Sequence, residues 1–280
     1  MSAFSALMYG WSDYMGGRAA RHVPVLRVMI NMEYLLAATY LTLVIADPAP
    51  VTWLDLMWGA FAGVGGVGGL AAFYLASTKG PVSLASAVTG VASTIAPVIA
   101  GLVLGERPSG AAMVGIVLAM VSVVLVSGAV SSRRESVAMP RQQVWLVLLA
   151  GALFGLWYIS LDQASDESGW WPLLGARILA IPAFVVLAWR RRGKDLSSPE
   201  QRRSGWRLTV GAWATVVFAN VSYLVAVRDG MLSIVAVVVS MYPAGTIMLA
   251  IIFDRERLSK SQWGGVALAA SALVLVGVGA

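Results

Sequence analysis

The chain has 280 residues, 59% of them hydrophobic and 12% charged, with a formal net charge of +6. A soluble globular domain carries about 25% charged residues, so this composition excludes a water-soluble body of this size. The absence of cysteine excludes disulfide and thiolate chemistry.

The apolar residues fall in blocks long enough to cross about 30 Å of hydrocarbon at 1.5 Å per residue. They predict an all-α integral membrane protein with ten transmembrane helices, over residues 2–20, 25–46, 53–77, 82–104, 109–129, 142–163, 170–189, 206–227, 231–253 and 260–279. The opening MSAFSALMYGW lacks the cationic flank of a secretory signal and leads to Asp13, so it reads as a retained first helix. Thr52 to Asp55 and Ser259 to Gln262 have capping-box spacing at the starts of spans three and ten. The longest loop, from about Arg190 to Ser204, is basic and holds no inserted domain.

The two halves repeat. In a register of 150 residues, Arg27 aligns with Arg177, Gly80 with Gly230, Ser83 with Ser233, Glu106 with Glu256 and Gly115 with Gly265. The register slips near Gly10 and Gly155, where the second half is longer around SDESG. The first repeat is assigned to residues 1–130 (spans one to five) and the second to 131–280 (spans six to ten). Five is odd, so the second repeat enters the membrane from the opposite side, an inverted arrangement that recurs in secondary transporters. Lys and Arg concentrate on the face reached after span one, in the loops around Arg18, Arg21, Arg133, Arg134, Lys194, Arg202 and Arg203. The positive-inside rule therefore places both termini outside the cell, and the same distribution explains the basic charge without nucleic acid.

An Arg at the start of spans two and seven, G-x-x-S opening spans four and nine, SMYP in span nine, and E-R-x-S after spans four and nine resemble the EamA family of the drug/metabolite transporter superfamily. YGWSDYMGGRAAR (9–21) and GWWPLLGARI (169–178) are similar to one bacterial subgroup. The resemblance implies a central cavity lined by spans one to four and six to nine, with spans five and ten peripheral. It also implies transport, commonly export, of amino acids or other small metabolites. Members of the family are usually drawn with cytoplasmic termini, from which the cation count here departs.

Ionisable groups inside hydrocarbon are costly and mark functional positions. Asp13 reads as a cavity carboxylate that binds a substrate amine or carries a proton, or else as a structural partner of Arg27 or Arg177. Glu33 is the second proton or cation candidate, or else an interhelix clamp. Arg27, Arg177, Glu106 and Glu256 are duplicated and therefore read as architectural, with the glutamates favoured beside helix N-termini. Pro97 and Pro243 free backbone carbonyls inside spans four and nine and are hinge candidates, together with Gly65 and Gly69. The pairs Gly59/Gly63 and Gly65/Gly69 have GxxxG spacing for close helix packing. Tyr9, Trp11, Phe73, Tyr74, Trp157, Tyr158, Asn220, Tyr223 and Tyr242 are the substrate-lining candidates. Trp170 and Trp171 suit an interfacial belt.

These features point to a secondary transporter of a small organic metabolite, an amino acid or related solute, working by alternating access in the inner (plasma) membrane. Its expected partners are the solute, the lipid bilayer and protons, as a monomer or homodimer, with no cofactor and no metal. Uptake or facilitated diffusion on the same fold is the alternative. An intramembrane enzyme or a non-transporting scaffold is the reading from another class, and no HExxH, GxSxG or Walker A signature supports the enzyme.

Overall fold

The computed structural model describes residues 1–77, 82–126, 141–190, 197–242, 245, 249, 253 and 260–279. Among these residues there are ten α-helices and no strand. They are α1 (Ser2–Ala19), α2 (Val25–Ala46), α3 (Trp53–Ser77), α4 (Val82–Val103), α5 (Gly110–Val126), α6 (Arg141–Asp162), α7 (Trp171–Arg190), α8 (Pro199–Asp229), α9 (Leu232–Ser240) and α10 (Lys260–Gly279). A short 3-10 turn, Asp166–Ser168, precedes α7. Four of the described helices contain stretches long and apolar enough to cross a membrane: Leu26–Ala46, Trp53–Phe73, Arg141–Asp162 and Pro199–Asp229. Four further apolar stretches, in α4, α5, α7 and α10, are shorter. α1 falls outside both groups, because Ser12, Asp13 and Arg18 interrupt its apolar residues.

Local chemistry sets several of these boundaries. At the start of α3 the Thr52 backbone N–H donates to Asp55 Oδ2 at 2.9 Å and the Asp55 N–H donates to Thr52 Oγ1 at 3.2 Å, the reciprocal capping box expected there. The corresponding signal at Ser259 lies outside the described residues. α8 starts seven residues earlier than expected, at Pro199, where Ser198 and Gln201 form a second capping box and Pro occupies the first turn. The first two turns of α8 are therefore polar and belong to what reads in sequence as a basic loop. α4 ends at a turn in which Gly105 has φ +102°, a conformation that disfavours any side chain. Two residues past the Glu106–Arg107 pair, Ser109 Oγ accepts the Ala112 N–H at 3.2 Å and caps α5.

Small residues set the packing. A Cβ added at Gly59 would stand 2.8 Å from the Pro172 carbonyl oxygen and 3.0 Å from Gly175 Cα, so α3 and α7 touch through their backbones. Gly63 continues that seam against Ala176, while Gly65 faces the backbone of α6 at Leu153 and Trp157. The two GxxxG pairs thus serve two different neighbours, which is how close approach compensates for the missing hydrophobic drive between helices in lipid. α1 lies along α8, and α4 along α6 and α9. α5 and α10 pack on each other, with Ile116, Ala119 and Val123 against Ala269 and Ala272.

Candidate functional site

A cavity of about 550 Å³ lies among these helices. α1 contributes Tyr9, Ser12, Asp13, Gly16, Gly17 and Ala20, which follow the helical period and form one stripe. α2 contributes Val28, Met29, Met32, Glu33 and Leu36; α3 contributes Gly63, Gly66, Val67, Leu70 and Phe73; α4 contributes Thr89, Gly90 and Ser93. The remaining wall comes from Phe154, Trp157 and Tyr158 of α6, Arg177 and Phe184 of α7, Val216 and Asn220 of α8, and Tyr242. α5 and α10 add nothing to it.

The lining occupies one end of the bundle. It reaches Ala20 just past the end of α1 and Val28 near the start of α2, yet stops at Leu36 in α2 and begins only at Gly63 in α3. The cavity therefore extends from mid-depth toward the face that carries the α1–α2 turn and is blind on the opposite face. That blind face is tied by hydrogen bonds between its loops. The Trp170 indole N–H donates to Asp47 Oδ2 at 3.0 Å, that of Trp171 donates to the Ala49 carbonyl at 3.2 Å, and the Ser165 N–H donates to Asp55 Oδ1 at 2.8 Å. Arg228 Nη2 donates to the carbonyls of Ser165 and Gly169 at 3.2 and 2.9 Å and to Ser168 Oγ at 3.2 Å. The Trp170 and Trp171 side chains therefore have partners in the protein as well as amphipathic rings.

Within the cavity the charges are unequal. Arg177 Nη1 lies 2.6 Å from Glu33 Oε2, with the two side chains 7% and 14% exposed. The guanidinium carbon sits 5.8 Å from the centre of the Trp157 ring. A pair held this closely in a low-dielectric site is mutually neutralised. The Asp13 carboxylate, in contrast, is exposed to the cavity and has no hydrogen-bond or ion-pair partner among the described residues. Asp13 is not the partner of Arg177; Glu33 is. Tyr9 Oη donates to Asn220 Oδ1, and Asn220 Nδ2 donates to Tyr40 Oη at 2.7 Å, making a buried polar chain across α1, α8 and α2.

Of the residues expected to face a solute, Tyr9, Asp13, Glu33, Phe73, Trp157, Tyr158, Asn220 and Tyr242 line the cavity together. Trp11 does not: it lies about 200° around the helix from Asp13, in a separate groove with Tyr14, Arg18 and Phe253. Tyr223 is fully buried outside the lining and donates to the Tyr158 carbonyl at 2.9 Å. Arg177 reads in sequence as architectural, and its side chain stands in the cavity wall as the partner of Glu33. Arg27 is exposed near the start of α2. Pro97 lies inside α4 beside Gly155, whose added Cβ would be 3.3 Å from Pro97 Cδ. Gly69 packs on the Phe154 ring. Pro243, Glu256 and the Tyr74 side chain lie outside the described residues. Tyr40, Met29 and Met32 were not singled out; Tyr40 stands seven residues after Glu33 on the same face of α2, a spacing that could have flagged it.

Solved structures share the fold: one crystal structure of a protein has a TM-score of 0.77 with 15% identity, covering 99% of this chain and 95% of the other. No curated protein matches the chain. The EamA-like transporter family model matches twice, over residues 1–128 and 142–278. With nearly its whole length accounted for by those two matches, this multi-pass chain, helical and without strands among its described residues, belongs to the EamA-like transporter family and is a membrane transporter.

Proposed function

We propose that the protein is a secondary transporter that exports a small organic metabolite, an amino acid or a related solute, by alternating access. The observation that carries this reading is the cavity itself, built by helices from both family matches and blind on one face, with Asp13 inside it unpaired among the described residues. Two inverted five-helix halves, residues 1–130 and 131–280, give such a cavity two pseudo-equivalent gates, one closed here by the Trp170, Trp171 and Arg228 hydrogen bonds. The cavity faces the cation-rich loops, which the positive-inside rule assigns to the cytoplasm of an inner-membrane protein with external termini. A carrier resting in this state loads from the cytoplasm, the direction export requires. Asp13 is the group we assign to proton coupling, since Glu33 is held by Arg177.

The test is a flux screen of amino acids and related metabolites in proteoliposomes, with and without a pH gradient. Solute-dependent flux enhanced by the gradient supports the reading, and chemical conversion of solute without flux removes it. Single cysteines introduced within residues 131–141 and 193–204 report orientation in this cysteine-free chain. Their labelling by an impermeant reagent in intact cells would reverse the proposed topology.

A further inference from the structure

We infer that the cavity selects organic monocations: solutes with one protonated amine on an apolar or aromatic body and no free carboxylate. This narrows the proposed solute from amino acids to their carboxylate-free relatives, and it rests on the transporter reading only in taking the cavity as the solute site. The argument begins with charge. Among the described residues, the carboxylates and strong bases in the wall are Asp13, Glu33 and Arg177. Arg177 is spent on Glu33 at 2.6 Å, and its side chain is only 7% exposed, with Nε buried, so it offers a solute carboxylate little surface. Among the described residues, Asp13 is left as the single uncompensated charge in the wall.

Three of the lining hydroxyls have the same polarity. Ser93 Oγ donates to the Gly90 carbonyl at 2.8 Å, Thr89 Oγ1 to the Val147 carbonyl at 3.4 Å, and Tyr9 Oη to Asn220. Each hydroxyl has committed its proton to the protein and keeps lone pairs, so these groups accept and do not donate. An ammonium supplies three donors to them, whereas a carboxylate meets acceptors at these three positions. Desolvating an unpaired carboxylate here would be costly.

The space beside Asp13 fits a body on that amine. Gly16 and Gly17 follow Asp13 on the same stripe of α1, and neither is used for helix contact: a Cβ at Gly17 would meet nothing within 4 Å, and one at Gly16 only the Ala212 Cβ at 4.0 Å. They differ in this from Gly59 and Gly65, which press on backbone. Tyr9, one turn before Asp13, has its ring 6.5 Å from that of Tyr242, and these faces suit a cation or an aromatic group. The cavity therefore accepts the amine end of an amino acid and lacks the counter-charge for its acid end. Decarboxylated, esterified or amidated derivatives satisfy it.

Binding to purified protein in nanodiscs, followed by tryptophan fluorescence and calorimetry, tests this with four matched probes: phenethylamine, phenylalaninamide, phenylalanine and 3-phenylpropanoate. The first two are expected to bind tighter than the last two by about tenfold or more, the scale of one charge-assisted hydrogen bond. Asp13→Asn should abolish that preference. Gly17→Val, a change into open space that spares the packing, should weaken phenethylamine binding and leave thermal unfolding unchanged. Equal or tighter binding of phenylalanine or 3-phenylpropanoate overturns the inference, as does binding of none of the four. The probe ranking on the unaltered protein needs no variant to fold. Amine binding without amine flux would sink the transporter reading alone. Flux of a carboxylate-bearing solute that survives Asp13→Asn would sink the monocation inference alone.

Discussion

The Glu106 carboxylate, at the corner between α4 and α5, accepts the backbone N–H of Ser233 at 3.0 Å and that of Leu232, so a side chain from the first family match caps α9 in the second. Two orphan donors at a helix N-terminus gain a charged acceptor where the dipole favours one. Arg107 turns back to the Leu102 and Glu106 carbonyls at 3.3 and 2.9 Å and closes the end of α4. Glu106→Ala should lower stability by about 1–2 kcal/mol, the range of lost caps with a dipole contribution, while Glu106→Gln should cost less. Thermal unfolding in detergent reads the difference, and an unchanged midpoint for Glu106→Ala would refute the cap.

That cap shows where sequence reading runs out. The duplication, matched by the family model over residues 1–128 and 142–278, the Thr52–Asp55 capping box and the glycine pairs of α3 are legible, because each is a local pattern or a comparison of the chain with itself. Asp13 was legible because a carboxylate in an apolar run is rare. The partner of Glu106 was not, since Ser233 is 127 residues away and only the fold brings the two together. The Glu33–Arg177 pair was hidden for the same reason, and the Tyr9–Asn220–Tyr40 chain needs three helices at once. The start of α8 was missed on composition: charged residues in QRR look like a loop, yet a helix that projects beyond hydrocarbon can carry them. Trp11 is close to Asp13 in sequence, but two residues of a helix turn it to another face of α1.

Removing one member of the Glu33–Arg177 pair leaves the other charge alone in the wall. Glu33→Gln and Arg177→Met should each destabilise the protein, by roughly 3–5 kcal/mol where burial is complete and by less here, since Glu33 retains some access to the cavity. The double variant should recover most of that loss, because no unpaired charge then remains. Denaturation in a double-mutant cycle measures the coupling. Additive losses would mean that the pair contributes nothing as a pair.

Asp13→Asn keeps the size and polarity of the side chain and removes its charge and its exchangeable acid proton. Flux driven by a pH gradient should fall to background while folded yield and unfolding temperature stay near those of the parent. Downhill exchange of a solute across symmetrical pH separates the two roles: it persists if Asp13 only carries protons and disappears if Asp13 also holds the solute. Full gradient-driven flux in the variant would exclude Asp13 from coupling.

Gly59 and Gly17 make opposite predictions for the same kind of change. Gly59→Val forces side-chain atoms into the Pro172 carbonyl and Gly175 backbone, a rigid neighbour, and should cost on the order of 1–3 kcal/mol or more as α3 and α7 are pushed apart. Gly17→Val enters open space and should leave the unfolding temperature close to that of the parent. Comparable losses in the two would contradict the packing assigned to the α3–α7 seam.

The blind face offers a direct test of whether it ever opens. Gly169 stands against Ala49, with an added Cβ only 2.6 Å from the Ala49 Cβ, so a small outward shift brings the pair into the range of about 3.5–4.5 Å that a disulfide spans. Gly169 has φ +54° and ψ −124°, so a cysteine there carries strain of about 1–3 kcal/mol, which the loop shift can relieve. In this cysteine-free chain, Ala49→Cys with Gly169→Cys should crosslink on oxidation and pin the α2–α3 loop to the turn before α7. If transport requires this face to part, oxidation stops flux and reduction restores it, with each single variant unaffected by oxidant. Flux that continues through the crosslinked protein would mean that the Trp170–Asp47 side is a permanent wall, and alternating access through it would have to be abandoned.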